Sequence, residues 1–191
     1  MRLVDNRSGQ PEDQAPQMRP LVIAHRGASA IAPENTLRSF KLAVLLGADG
    51  IELDVHLSAD GQPVVIHDRR LDRTTNASGP VSRLTADQLG KLDAGSWFGR
   101  RLALRPRVKA RVVSTLESIG ALDPEPDDEH IPTLEDVLTV LDGAGLKRVY
   151  IELKGVPETR AILLDRTLAL IRAFDLKTSA TVLSFHHDVI R

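Results

Sequence analysis

Apolar and polar positions alternate along this chain in two rhythms. Short apolar runs, "LVIAH", "GIELDVHLS", "QPVVIHD", "RVYIELKG" and "ATVLSF", have the length and composition of strands. Between the first two, "NTLRSFKLAVLLGA" places Leu37, Phe40, Leu42, Val44 and Leu45 at helical spacing and stops near Gly47, with Pro33 suited to a first helical turn. Asp60 and Gly61 make the turn from the second strand into the third. Turn chemistry ("TTNASGP") follows, then a short helix signal, "LTADQLGKL", with Thr85 as its N-cap. Phe98 to His130 lacks a regular period, being arginine-rich and then acidic with prolines, and is expected to be an insertion or a mobile loop. Order resumes with a helix in "PTLEDVLTVLDGAG", opening at Pro132 or Thr133 and ending at Gly143 or Gly145. A strand, a long amphipathic helix from about Glu158 to Phe174 and a last strand complete the chain. The strand–helix alternation from Lys147 onward predicts parallel βαβ units, hence an α/β layer or barrel.

Composition narrows the picture. The 191 residues are 42% apolar with a formal net charge of -1, enough for one sizeable core and without a one-sign bias that would predict nucleic acid or an anionic membrane as the main partner. The strongest local bias is "RRLALRPRVKAR" at Arg100 to Arg111, read as a solvated insertion rather than a phosphate or lipid-headgroup surface. Cysteine is absent, which excludes disulfides, thiolate metal sites and thiol nucleophiles. Residues 1–20 lack the apolar core of a signal peptide and are expected to form a loose polar tail; with no apolar run of spanning length, the expectation is a cytoplasmic protein without a stable membrane anchor.

The chemistry lies at the strand ends. The first strand ends in His25 and Arg26, the second carries Glu52 and Asp54, the third ends in His67 and Asp68, and the fourth carries Glu152 and Lys154. Residues two apart on a strand share a face, so Glu52 with Asp54 and Glu152 with Lys154 are same-side pairs inside apolar runs. Each feature alone has an ordinary explanation. A strand-end histidine caps, a carboxylate pair lies on a solvent edge, Asp68 orients the next loop, and Glu34 and Asn35 satisfy a helix start. Together they suit one reaction. Three carboxylates are hard ligands for one divalent cation, Mg²⁺ or Ca²⁺. Arg26 and Lys154 can neutralise a phosphate, and His25 and His67 supply an acid and a base near working pH. That combination describes phosphodiester cleavage.

The stretch from "AHRGASAIAPENT" through "GIELDVHLSADGQPVVIHD" to "LDRTTNASG", followed by "IPTLEDVL", "YIELKG" and "VLSFHHDVI", resembles the glycerophosphodiester phosphodiesterase family. The resemblance implies a TIM-type barrel with an extra segment after the third strand, here about residues 69–130 of a domain spanning 21–191. It implies divalent-metal-dependent cleavage of glycerophosphodiesters to glycerol 3-phosphate and an alcohol. Carried onto this chain, it makes His25 and His67 the acid/base pair, Glu52, Asp54 and Glu152 the metal ligands, and Arg26 and Lys154 the phosphate grip. Glu34 is then a supporting residue, and Asn35 and Asp68 are expected to support the site beside it. A closed barrel has eight strands and commonly about 250 residues. With five convincing strands ahead of Arg191, the expectation is an incomplete barrel whose open edges invite self-association or a completing chain. Two rival readings are a phospholipase D-like hydrolase of lysophospholipids and a non-catalytic remnant that binds a ligand or partner.

Overall fold

The computed structural model describes residues 19–121, 129–174 and 179–186. Among them, five strands form one sheet: β1 (Ile23–His25), β2 (Gly50–Leu57), β3 (Pro63–Val65), β4 (Arg148–Leu153) and β5 (Ser179–Leu183). In the order β1-β2-β4-β5 the neighbours are parallel, as the wall of an α/β barrel requires. The helices are α1 (Leu37–Leu45), α2 (Ala86–Leu89), α3 (Ser96–Ala103), α4 (Pro106–Ser118), α5 (Leu134–Leu141) and α6 (Arg160–Ala173).

Period-two alternation divides the sheet into two faces. Ile51, Leu53 and Val55 of β2 and Val149, Ile151 and Leu153 of β4 are fully or almost fully buried and pack with Phe40 of α1, Leu134, Val137, Leu138 and Leu141 of α5, and Leu163 of α6. The residues between them, Glu52, Asp54 and His56 on β2 and Glu152 on β4, therefore turn to the opposite face, the inside of the barrel wall. Parallel register sets Asp54 directly beside Glu152. At the other end of the strands, the buried Asp49 side chain is pinned by Arg19 at 2.6 Å, by Lys147 at 3.0 Å and by the Val22 N–H. These contacts hold its carboxyl well below the usual carboxylate range.

Local capping explains where the helices begin. The hydroxyls of Thr36, Thr85 and Thr133 each accept from the backbone N–H three residues on, and the last two form reciprocal capping boxes with Gln88 and Asp136. Thr36 rather than Pro33 thus opens α1, because its side chain satisfies an otherwise orphaned donor.

The turn at Asp60 and Gly61 forms the expected hairpin: β3 runs antiparallel to the C-terminal half of β2, with Val65 opposite Val55. One sequence expectation needs correction. The segment from Phe98 to His130 is not irregular throughout, since most of Ser96 to Ser118 is helical. Its apolar signal is thin but sufficient, because Val112 and Leu116, four apart, bury against Ala32 and Leu42. The acidic residues 122–128 of the expected insertion, residues 1–18 of the expected tail and the last positions of "VLSFHHDVI" lie outside the described residues.

Candidate active site

The turn after β1 is tight. Among the described residues, Arg26 and Asn35 are the non-glycine residues with positive φ, at 58° and 59°, and the Asn35 N–H donates to the Arg26 carbonyl. Such a conformation is sparsely populated for L-residues and is held here by surrounding contacts. Gly27, at φ 77°, is obligatory: a Cβ there would lie 2.4 Å from the Ser39 hydroxyl. The turn aims the Arg26 and Asn35 side chains at Asp54.

Asp54 is fully buried at the centre of the site. Asn35 Nδ2 donates to its Oδ2 at 2.9 Å, Arg26 Nε approaches Oδ2 at 3.1 Å, and Lys154 Nζ lies 3.2 Å from Oδ1. Lys154 also contacts Glu152 Oε1 at 2.8 Å. Burial works against the Lys154 ammonium, but Glu152 and Asp54 hold its pKa above the ordinary value. One oxygen from each of Glu52, Asp54 and Glu152 lies within 4.8 Å of the others. Asp54 Oδ1 and Glu152 Oε1 are buried, and the partner that both meet is the Lys154 ammonium, so two hard oxygen donors converge on one cation. This donor set fits a divalent cation of the Mg²⁺ or Ca²⁺ type.

Glu52 is the least compensated of the three. Burial, with Asp54 and Glu152 close by, pushes its carboxyl up to about 7, although the Arg26 N–H donates to it at 3.2 Å. His25 Nε2 lies 3.7 Å from the same Oε2 and is largely exposed.

His67 reaches the site by a different route. The carbonyls of Glu52 and Asp54 project from the same edge of β2; the first accepts from Arg26 N–H and the second from Ile66 N–H. The β2–β3 hairpin therefore takes over the pairing line where β1 ends, and delivers His67 immediately beyond Arg26. Its Nδ1 lies 2.6 Å from Asp68 Oδ1. Arg73 then grips Asp68 through Nε and Nη2, at 2.6 and 3.1 Å, and Glu34 through Nη1 and Nη2, at 2.9 and 2.7 Å. Glu34 also accepts from Arg26 at 3.0 Å. The chain His67–Asp68–Arg73–Glu34–Arg26 ties the hairpin to the turn after β1. Arg73 holds the Asp68 carboxyl down at about 2; burial alone would raise Glu34, but Arg73 and Arg26 keep it below its ordinary value.

Two residues of this site escaped the sequence reading. Arg73 sits in turn-forming sequence and nothing local marks it as a bridge. His56 was legible, being the next same-face position after Glu52 and Asp54. It is buried, which lowers its pKa, and its Nε2 lies 3.0 Å from the His67 carbonyl, bracing that backbone.

A model of the glycerophosphoryl diester phosphodiesterase family matches residues 25–191, which span every group just described. The chain belongs to this family. It is 37% identical over 174 residues to a glycerophosphodiester phosphodiesterase of Caldanaerobacter subterraneus, covering 91% of this chain and 61% of that one. Over 103 residues it is 45% identical to a glycerophosphodiester phosphodiesterase of Bacillus subtilis, covering 53% of this chain and 35% of the relative. Among solved structures, an Oleispira antarctica phosphodiesterase in complex with the product sn-glycerol-3-phosphate superposes with a TM-score of 0.73 at 32% identity, over 90% of this chain and 60% of the other. The Agrobacterium tumefaciens glycerophosphodiester phosphodiesterase gives 0.68 at 35% identity, with the same coverages. The chain thus spans less than two thirds of the length of these family members, and the four-stranded parallel wall is part of the family barrel.

Proposed function

We propose that this family member hydrolyses glycerophosphodiesters to glycerol 3-phosphate and an alcohol. The observation that carries this reading is the convergence of Glu52, Asp54 and Glu152 with Arg26 and Lys154 at the strand ends, flanked by His25 and His67. Membership of the family and the product complex of the Oleispira relative support it. In this reading the three carboxylates hold a divalent cation, Mg²⁺ or Ca²⁺. Such an ion supplies positive charge to the phosphoryl oxygens as negative charge builds there.

The protein groups do the rest. Arg26 and Lys154 bind and orient the remaining phosphate oxygens, which Asp54 makes possible by holding both cations inward. One histidine takes the proton from the attacking oxygen, either the glycerol 2-hydroxyl of the substrate or water. As the new P–O bond forms, the P–O bond to the alcohol breaks, and the other histidine delivers a proton to the departing oxygen. Attack by the 2-hydroxyl gives a cyclic phosphate first, which water then opens with the histidine roles exchanged. Asp68 fixes the Nδ1 side of His67, leaving Nε2 for proton transfer.

The test is release of glycerol 3-phosphate from glycerophosphocholine by purified protein, first with EDTA and then with Mg²⁺ or Ca²⁺. Turnover removed by EDTA, restored by metal and lost in His25→Ala and His67→Ala is the expected result. Absence of turnover from a folded sample that still binds metal would refute it. Choline release from lysophosphatidylcholine in preference to glycerophosphocholine would move the assignment to a phospholipase D-like activity.

A further inference from the structure

The basic run of the sequence acquires a new meaning from its place in the fold. Arg100, Arg101, Arg105, Arg107, Lys109 and Arg111 all lie on α3, α4 or the joint between them, and all are exposed. No acidic residue occurs from Ser96 to Leu116. None of these cations forms an ion pair among the described residues, and Arg100 lies close enough to Asp93 to help lower that carboxyl's pKa. Such a cluster is ordinary on a solvated helix when apolar residues point inward. Here they do not all do so. Leu104, at the joint, is 85% exposed, and Val108, in the first turn of α4, is 43% exposed, both amid the cations.

Position gives this patch a direction. The inner side of α4 is anchored by Val112 and Leu116 to Ala32 and Leu42, with Ile31 packed against them. Ala28 to Ala32 belong to the turn that follows β1, so α4 rests on the rim that bears Arg26. A groove of about 670 Å³ runs between Ala30 and Ile31 of that rim and Arg107, Val108 and Arg111 of α4. The cationic, apolar-tipped joint therefore stands beside the mouth where the strand ends converge.

We propose that the α3–α4 joint is a reversible docking surface for an anionic lipid bilayer, with Leu104 and Val108 entering the headgroup layer and the six cations matching its charge. Juxtamembrane cations are attracted to anionic leaflets, and apolar tips add burial that a purely electrostatic partner does not reward. A nucleic acid is disfavoured because the joint offers no exposed aromatic platform: Trp97 is turned inward, its indole N–H donating to the Ala94 carbonyl. No helix of the described residues is long and apolar enough to cross a membrane, so this contact is peripheral. The inference does not depend on the hydrolase reading, because surface binding is measured without substrate.

The test is co-sedimentation with vesicles of phosphatidylcholine alone or with 30% phosphatidylglycerol, at low and high salt. Binding is expected to the anionic vesicles only, and to weaken as salt screens the charges. Arg105→Gln/Arg107→Gln/Lys109→Gln should weaken it about a hundredfold, at roughly fivefold per cation. Leu104→Gln should weaken it several-fold, while Lys91→Gln just beyond α2 combined with Arg166→Gln/Arg172→Gln on α6 should not. Because the chain has no cysteine, Leu104→Cys gives a single labelling site, and an environment-sensitive fluorophore there should shift to the blue on anionic vesicles. Equal partition onto neutral vesicles, retention in the α3–α4 triple variant, or tighter binding to a single-stranded oligonucleotide that ignores Leu104→Gln would overturn the proposal.

Discussion

Glutamate 52 should make the metal-free protein lose stability where most proteins gain it. Its carboxyl shares the inner face of the sheet with Asp54 and Glu152, and the nearby cations Lys154 and Arg26 serve Asp54 and Glu152 first. The pKa rises from 4.5 to about 7, so between those values the folded state binds a proton that the unfolded chain has released. Stability contributed by this group is complete below pH 4.5 and is lost as pH rises to about 7. Taken at face value the displacement corresponds to about 3 kcal/mol at 1.36 kcal/mol per tenfold change. Water reaches part of this carboxylate, which reduces the expected loss to about 1–2 kcal/mol. The assay is urea unfolding in EDTA at pH 5 and pH 8, wild type against Glu52→Gln. His56, whose pKa is lowered by burial, acts with the opposite sign in an overlapping range, but it cancels in the difference between the two proteins. The variant should equal or exceed wild type at pH 8 in EDTA, and Mg²⁺ or Ca²⁺ should reverse the order by stabilising wild type alone. A Glu52→Gln protein that is less stable at pH 8 in EDTA, or that keeps the full pH-dependent loss, would refute the crowding of charge on which the metal site is argued.

Other consequences are more direct. Asp54→Asn strands Arg26 and Lys154 beside a neutral, buried amide; a loss of about 3 kcal/mol in denaturant unfolding and of any metal-induced rise in Tm is expected. Arg73→Gln should lower kcat about 10- to 100-fold with little change in KM, with partial recovery in Arg73→Lys; in the same variant, nitrogen NMR should show that His67 has lost its Nδ1–H tautomer preference. Asp68, held at about 2 by Arg73, contributes stability that is present above about pH 4 and fades as pH falls toward 2, so Asp68→Asn should flatten the acid limb of the unfolding profile. Gly27→Ala should cost about 2–4 kcal/mol in urea unfolding, because it combines a positive φ with a Cβ driven into Ser39.

Much of this molecule is legible in one dimension because its determinants are local. Period-two alternation in "GIELDVHLS" and "YIELKG" was enough to place Glu52 with Asp54 and Glu152 with Lys154 on single faces, and capping threonines marked α2 and α5. The order of strands and helices gave an α/β layer or barrel, and the motifs from "HRG" to "IPTLE" carried the family resemblance that implied the barrel. Long-range placement was not legible. That the β2–β3 hairpin sets His67 behind Arg26 depends on which edge of β2 remains unpaired after β1 ends. That Arg73 joins Glu34 to Asp68 depends on a loop folding back across 39 residues of sequence separation to Glu34. The helicity of α4 depends on Val112 and Leu116 finding Ala32 and Leu42, without which an arginine-rich segment has little reason to order. The residue types and their periods therefore determined the chemistry available and the faces that carry it. Only the tertiary structure decided how the charges pair and which carboxylate is left uncompensated, because those depend on distances between residues remote along the chain.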